Sequence, residues 1–361
     1  MLPRPDELAA LRAAGVLSAA AQGWLEREIA AQQAAAERFD DVCGTSGLFG
    51  ADSSSSSSSS DEESGQVILL PPQRWTEPHS GLSVAYTLAS GSAYGHGDEV
   101  WAAAVCLAER LCASSGRAEL LGADLAAEVP LQGLRVLELG AGGAIPSWVC
   151  AALGATTVAS DYPSLGSVAA MLRGALENGY GEPPGPNLAS AGRVSVVPHC
   201  WGESVAPLLA APGREFDEDA AQGGGDLFDV VLACDCIYDP GSHAPLLRTL
   251  CATLRSASAT TASPTAADKM GAGLPRSCGL VAFSFHGNTA DENIWAFFSL
   301  AEVSSSQPCL GALSFIGLNR MFLRHAYRAH TELTDKCLCS VVVWMSSSWV
   351  RSKCAQIRQQ Q

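Results

Sequence analysis

The chain has 361 residues, of which 47% are hydrophobic, and it carries a formal net charge of −15. This composition is typical of a folded protein with one large domain plus an extension, and it excludes a chain that is disordered throughout. The negative charge argues against a nucleic-acid groove, because phosphate binding requires clustered lysine and arginine. The chain lacks a run of about 18 apolar residues, so we expect no membrane helix.

The thirteen cysteines are spread along the chain and include no CxxC pair. Cys234 and Cys236 lie within an apolar run, and no histidine lies near enough to them to complete a zinc site. We therefore expect no metal centre and interpret the cysteines as buried, reduced thiols. Reduced thiols indicate a cytosolic or nuclear compartment, of which we favour the cytoplasm.

Low-complexity sequence divides the chain. Residues 1–45 are Ala-rich with irregular helical spacing, and we expect a helical appendage there. Residues 46–66 are rich in serine and acids, which predicts a disordered linker. The main domain then covers residues 67–350, and residues 351–361 form a tail. The linker contains a run of serines, Ser53 to Ser60, which cannot bury apolar surface. We therefore expect the appendage to be energetically separate from the main domain.

Within the main domain, buried strands alternate with helices, and two late strands have no helix between them. This order predicts an α/β fold, a Rossmann-like sheet covered by helices on both faces, with an antiparallel edge hairpin. Residues 256–277 read as a surface insertion. Two short strands, 67–70 and 82–88, are predicted to form a hairpin-like lead-in. The later strands are predicted at 134–139, 156–160, 194–197, 228–233, 279–285, 313–318 and 337–345, and the helices at 98–112, 145–153, 164–178, 243–256 and 291–303.

Polar clusters follow the predicted strands, and the first is a glycine turn. Gly140, Ala141 and Gly142 follow a buried strand and precede a helix, so the backbone there can approach a ligand closely. The strict dinucleotide fingerprint requires a further glycine where this chain has Ile145. Asp161 ends the next strand, where a carboxylate can accept both ribose hydroxyls of an adenosine ligand. An ordinary strand–helix turn is the alternative interpretation.

Several stretches, taken together, carry a family resemblance. The chain resembles the seven-strand S-adenosylmethionine-dependent methyltransferases, and within them the family 16 protein lysine methyltransferases. It is most similar to the branch once labelled nicotinamide N-methyltransferase-like and now linked to N-terminal and lysine methylation of elongation factor 1-alpha. The resemblance covers residues 80–345. Its motifs are VLELGAGGAIPS at 136–147, SDYPS at 160–164, CWGESVAPLL at 200–209 and FDVVLACDCIYD at 228–239.

The resemblance implies S-adenosyl-L-methionine as the cofactor and assigns roles to individual residues. Asp235 and Tyr238 match the family's D-x-x-Y at the mouth where the target amine enters. Aromatic rings suit adenine by stacking, and aromatic and carboxylate groups suit a sulfonium. The residues that the resemblance implies for cofactor binding are Trp101, Gly140, Ala141, Gly142, Asp161, Trp201 and Cys234.

The segments around the substrate mouth depart from the branch pattern. His96 stands where the branch has a tryptophan, and residues 284–288 lack the arginine and proline of the branch's SPHRP segment. We favour a protein amine as substrate, either a lysine side chain or an N-terminal α-amine, with elongation factor 1-alpha implied by the resemblance. The alternatives are a small-molecule N-methyltransferase acting on a pyridine such as nicotinamide, an NAD-dependent dehydrogenase and a non-catalytic binding module.

Overall fold

The computed structural model describes ten stretches of the chain. Three of the predicted segments, the linker 46–66, the insertion 256–277 and the tail 351–361, lie outside these stretches, as does His96. The domain boundaries therefore stay predictions. The described residues are 3–44, 68–90, 99–121, 130–181, 192–210, 227–254, 278–283, 291–303, 313–316 and 341–346.

Helices and strands alternate through the main domain. The helices are α1 Pro5–Ala13, α2 Ala19–Gly44, α3 Ala102–Cys112, α4 Ser114–Leu120, α5 Ile145–Ala152, α6 Leu165–Glu177, α7 Ala206–Leu209, α8 Pro240–Thr253 and α9 Asp291–Val303. The strands are β1 Ile68–Leu69, β2 Gln73–Thr76, β3 Ser83–Tyr86, β4 Ala89–Ser90, β5 Arg135–Leu139, β6 Thr156–Asp161, β7 Arg193–Pro198, β8 Val230–Cys234, β9 Cys278–Phe283, β10 Leu313–Ile316 and β11 Val341–Ser346.

The main sheet has the order β10-β11-β9-β8-β5-β6-β7. Strands β5 to β9 pair in parallel, whereas β11 is antiparallel to both β9 and β10. The predicted α/β architecture and its antiparallel edge are thus confirmed. The chain adds β6 and β7 on one side of β5 and then returns to place β8 on the other side. Ligands in such sheets bind at this switch point, outside the carboxyl ends of the strands.

Strands β5 to β9 are buried on both faces, as continuous apolar strands predict. One face packs against α3, α5 and α6, where Trp148 is among the largest fully buried side chains. The other face packs against α8 and α9 through Phe283 and Phe297. The two cores hold the strand ends in fixed positions, which a site at those ends requires.

Two local predictions needed correction. The lead-in is not one hairpin: β1 pairs with β4, and β2 pairs with β3. Strand β2 was missed because its residues are mostly exposed and polar, so they give little hydrophobic signal. Helix α4 was missed because it is short and lacks an apolar repeat. The Arg117 guanidinium stabilises it by donating hydrogen bonds to the carbonyl oxygens of Leu111 and Cys112, at 2.8 and 2.9 Å.

The N-terminal extension packs on the core, which contradicts the expectation that it is energetically separate. Leu11 of α1 is fully buried in the same core as α5 and α6. The Val196 N–H of β7 donates to the Val16 carbonyl at 2.8 Å, and the Ser195 hydroxyl donates to the Gly15 carbonyl at 2.7 Å. The segment that joins α1 to α2 therefore covers the edge of β7, which would otherwise present unpaired backbone groups.

Most of the described cysteines are free, as expected, but Cys106, Cys112 and Cys200 are only partly buried. Cys234 and Cys236 are free and buried, and five further described cysteines are also free. Cys251 differs because it is disulfide-bonded, against the expectation of reduced thiols throughout. None of the helices in the described stretches combines the length and the apolar character that crossing a membrane requires.

Candidate cofactor and active site

The glycine turn after β5 has the backbone that its sequence predicts. Gly140 and Gly142 have φ angles of 68° and 51°, in the left-handed region that favours glycine. Between them, the Ala141 N–H donates to the Ser160 carbonyl of β6 at 3.0 Å. Helix α5 begins directly after the turn, with Pro146 in its first turn. The turn is therefore fixed between the carboxyl ends of β5 and β6.

Trp201 lies against this turn. A Cβ atom added at Gly140 would lie 3.0 Å from the Trp201 ring and 2.6 Å from the Cys236 sulfur. The Cys236 thiol is itself held by the carbonyl oxygens of Leu139 and Cys234, each at 3.3 Å. The structure thus brings together the turn, the predicted adenine-stacking tryptophan and the end of β8, where Cys234 lies buried.

Asp161 binds the turn directly. Its Oδ2 accepts the Gly142 N–H at 2.7 Å, and its Oδ1 accepts the N–H of the exposed Tyr162 at 2.6 Å. Desolvation raises the pKa of Asp161, while these two N–H groups act in the opposite direction. Each carboxylate oxygen keeps acceptor capacity. Asp161 can therefore accept ribose hydroxyls while it stays attached to the turn.

Asp235 joins the end of β8 to helix α3. Its Oδ2 accepts the Ala103 N–H in the first turn of α3 at 3.2 Å, and its own N–H donates to the Ala282 carbonyl of β9 at 2.8 Å. Trp101 is the half-buried residue that precedes this helix. Part of the Asp235 carboxylate is therefore used to position the helix that carries Trp101, a role that the sequence did not predict.

Tyr238 lies three residues after Asp235 and is half-buried. Burial is the main cause that raises the pKa of the Tyr238 hydroxyl above its ordinary value. The hydroxyl therefore stays protonated at ordinary pH, when it can both donate and accept hydrogen bonds.

Two residues other than glycine adopt left-handed backbone in the described part of the chain. They are Ala144, with φ of 56°, and Asp235, with φ of 52°. Ala144 precedes α5 and Asp235 follows β8, so both lie at the switch point. Such conformations cost free energy and cluster at functional sites. Their joint position supports a shared site at this edge of the sheet.

Glu138 belongs to this region, although it was not predicted as a site residue. It is 1% exposed, and its Oε2 accepts hydrogen bonds from the backbone N–H and the hydroxyl of Ser147. Desolvation, with a smaller contribution from the nearby Asp161, raises the pKa of Glu138 to about 8. A carboxylate inside the apolar run 136–139 was the signal that could have identified it, since buried acids are rare.

Three buried polar atoms lack hydrogen-bond partners near the candidate site. They are Glu138 Oε1, Ser160 Oγ and His199 Nε2, which lie at or near the carboxyl ends of β5, β6 and β7. Burial lowers the pKa of His199, which favours its neutral form. Unpaired buried polar atoms are costly. Together with Asp161 and Trp201, they fit a polar, adenosine-bearing ligand that supplies hydrogen-bonding groups.

The chain is similar in sequence to several curated methyltransferases. No family model matches the chain. A protein N-terminal and lysine N-methyltransferase EFM7 from Cryptococcus neoformans is 31% identical over 134 residues, which make up 37% of this chain and 39% of that protein. The proteins of the same name from Emericella nidulans and Eremothecium gossypii are 33% and 36% identical over 126 and 118 residues, covering 35% and 32% of this chain and 44% and 39% of theirs.

The chain thus spans about two fifths of the length of the curated relatives it matches. Among solved structures, a Thermus thermophilus 16S rRNA N2 G1207 methyltransferase in complex with AdoMet and guanosine is 14% identical, with a TM-score of 0.37, over 76% of this chain and 50% of that chain.

Proposed function

We propose that this protein is an S-adenosylmethionine-dependent methyltransferase that acts on a protein amine. The observation that carries the proposal is the contact set around the glycine turn, where Asp161 binds the Gly142 N–H and Trp201 lies against Gly140. The names of the curated relatives, protein N-terminal and lysine N-methyltransferases, support the same reaction class.

In this proposal the site holds the cofactor by adenosine recognition. Asp161 accepts the ribose hydroxyls, and Trp201 stacks on the adenine. The backbone of Gly140 to Gly142 and the nearby Cys234 lie along the methionine part, and Trp101 lines the pocket from α3. The bound cofactor supplies an activated methyl group on a sulfonium. The carboxylates of the site favour that positive charge.

Asp235 and Tyr238 act on the incoming amine. A lysine amine must lose a proton before it can attack, which costs about 4 kcal/mol near pH 7.4, whereas an α-amine costs under about 1 kcal/mol. A carboxylate and a phenol can orient the amine by hydrogen bonds while it loses that proton. A pyridine nitrogen needs no such help, so these two residues favour an amine over nicotinamide.

The backbone of the turn disfavours the dehydrogenase alternative. In dinucleotide-binding folds, N–H groups of the glycine turn point at the pyrophosphate. Here the Ala141 N–H binds the Ser160 carbonyl and the Gly142 N–H binds Asp161. Both groups are therefore already occupied within the protein.

The substrate proposal rests on charge and on resemblance. The net charge of −15 suits a basic protein partner. We propose elongation factor 1-alpha as that partner, with its N-terminal amine or a lysine as the target, and the cytoplasm as the location of the reaction.

The test is methyl transfer from tritiated S-adenosylmethionine to elongation factor 1-alpha and, in parallel, to free nicotinamide. The rate with a lysine target should rise between pH 7 and 9, by up to about tenfold per pH unit, because the neutral amine becomes more abundant.

Asp235→Asn should lose turnover more than affinity for S-adenosylhomocysteine, and Asp239→Asn, at an exposed position in the same loop, is the control. A flat pH profile together with efficient methylation of nicotinamide would favour the small-molecule alternative.

A further inference from the structure

Asn178 holds two separate parts of the structure at the end of helix α6. Its Oδ1 accepts the Ala85 N–H at 2.8 Å, and its Nδ2 donates to the Ala85 carbonyl at 2.8 Å. The same Nδ2 group donates to the Gly174 carbonyl one turn earlier in α6, at 2.9 Å. The amide NH2 group faces two carbonyl oxygens, and the amide oxygen faces an N–H. These contacts fix the orientation of the Asn178 amide. The side chain thus fastens the β2–β3 hairpin to α6.

The first connection from Asn178 to the glycine turn passes through α6 and α5. Gly174 leaves room for the ring of Trp148, which would lie 3.0 Å from a Cβ atom at that position. The Trp148 Nε1 in turn donates to the Gly143 carbonyl at 2.9 Å. Trp148 is fully buried, so its ring has little freedom to move. Gly143, which directly follows the glycine turn, is therefore held through α5 and α6.

The second connection passes through the hairpin. Tyr86 and Leu88, on either side of Thr87, lie against Gly143, with ring and methyl carbons 3.4 and 3.2 Å from the position of an added Cβ. Ala85, the residue that Asn178 holds, directly precedes Tyr86. Fixing Ala85 therefore also restrains Tyr86, the next residue in the chain, which contacts Gly143. Both connections thus begin at Asn178 and end at Gly143.

We propose that Asn178 is a positioning residue for the cofactor turn, acting through the hairpin and through Trp148. It makes no described contact with the candidate cofactor residues, so its effect is indirect. The inference rests on the proposed function, because it assigns the turn to S-adenosylmethionine. Its distinctive consequence is weaker cofactor binding without loss of the chemical step, since Asp235 and Tyr238 lie on a different strand end.

The test compares Asn178→Ala with Ser195→Ala in the full-length protein. Both substitutions remove side-chain hydrogen bonds to backbone groups far along the chain, but Ser195 binds the N-terminal extension and not the hairpin. We expect Asn178→Ala to raise the Kd for S-adenosylhomocysteine, measured by calorimetry, about tenfold, which corresponds to about 1.4 kcal/mol. The KM for S-adenosylmethionine should rise in parallel, and kcat at saturating cofactor should stay within about twofold of the wild type. Ser195→Ala should leave the Kd unchanged.

Three results would separate the possibilities. If Asn178→Ala binds S-adenosylhomocysteine as tightly as the wild type while its melting temperature falls, Asn178 is only structural and the inference is overturned. If the wild type itself does not bind S-adenosylhomocysteine, the proposed function fails, and the inference fails with it. If Asn178→Ala does not fold, Tyr86→Ala replaces it, because it removes the contact with Gly143 and leaves the Asn178 hydrogen bonds in place. Unchanged affinity in Tyr86→Ala would then overturn the inference.

Discussion

The carboxyl edge of the sheet and the N-terminal extension differ in how they are held. At the carboxyl edge, the turn after β5 is held by Asp161, which follows it by about twenty residues in the chain, and by the neighbouring β8 loop. The extension is held by β7, which lies 180 residues away from it along the chain, through Ser195 and Gly15. The first region carries motif residues of recognisable chemistry, whereas the second is held by apolar contacts, by hydrogen bonds to backbone carbonyls and by an ion pair between Glu7 and Arg173.

This difference shows what each region contributes. At the carboxyl edge, Glu138 has a buried carboxyl oxygen without a hydrogen-bond partner among the described residues, and Asp235 adopts left-handed backbone. The extension instead satisfies backbone groups and buries Leu11 completely. We therefore expect substitutions in the two regions to separate cofactor binding from stability.

The largest effect is expected for Gly140→Ala. The new methyl group would lie 2.6 Å from the buried Cys236 sulfur, so the turn or the β8 loop must shift. S-adenosylhomocysteine binding should fall by at least about a hundredfold in calorimetry. Gly133→Ala is a matched control, because Gly133 also has a positive φ, 82°, but an added Cβ meets no atom within 4 Å. Equal losses of affinity in both variants would mean that backbone strain, not the contact with Cys236, causes the effect.

Leu11→Ala should weaken the packing of the N-terminal extension and leave the carboxyl edge of the sheet intact. Removing a fully buried leucine side chain typically lowers the free energy of unfolding by about 3 kcal/mol. Denaturant unfolding measures this loss, and calorimetry should show that the affinity for S-adenosylhomocysteine is unchanged. The neighbouring Arg12→Ala removes an exposed side chain and should have little effect. A stability loss no larger than that of Arg12→Ala would show that the extension is energetically separate after all.

Asp161→Ala should show the opposite pattern, a loss of affinity for S-adenosylhomocysteine with little loss of stability. Losing the hydrogen bonds that a charged carboxylate accepts from two ribose hydroxyls implies a loss of affinity on the order of a hundredfold. Asp229→Ala is the control, because Asp229 also binds a backbone N–H, that of Arg135, at the opposite ends of the strands. If the Asp161 variant bound S-adenosylhomocysteine within about threefold of the wild type, the assignment of the ribose site would be wrong.

The last prediction concerns the pH dependence of stability. Burial raises the pKa of Glu138 in the folded state to about 8, from an ordinary value of about 4.5. The unfolded state therefore releases this proton first, and the free energy of unfolding falls as the pH rises between about 4.5 and 8. Glu138→Gln should remove this contribution, because glutamine does not titrate and can still accept the Ser147 hydrogen bonds. Unfolding curves at pH 5 and pH 7.5 measure it, and an unchanged difference between the two would contradict the burial argument.

The comparison also explains what could be predicted from the sequence. The α/β alternation, the glycine turn and the strand-end position of Asp161 follow from short-range patterns of hydrophobicity and chain order. Asn178 and Trp148 look like ordinary helix residues, because their connection to the turn depends on how α6 and α5 pack. The contacts of the extension were missed for the same reason. Its apolar residues predict helices, but they do not identify β7 as the partner.

The central claim is that the carboxyl edge of the sheet binds S-adenosylmethionine. The most direct measurement is a pair of calorimetric titrations of the full-length protein, one with S-adenosylhomocysteine and one with NAD. We expect saturable binding of S-adenosylhomocysteine at one site per chain and no heat of binding with NAD. Binding of NAD without S-adenosylhomocysteine would indicate a dehydrogenase site, and binding of neither would favour a non-catalytic module; either result would contradict the account.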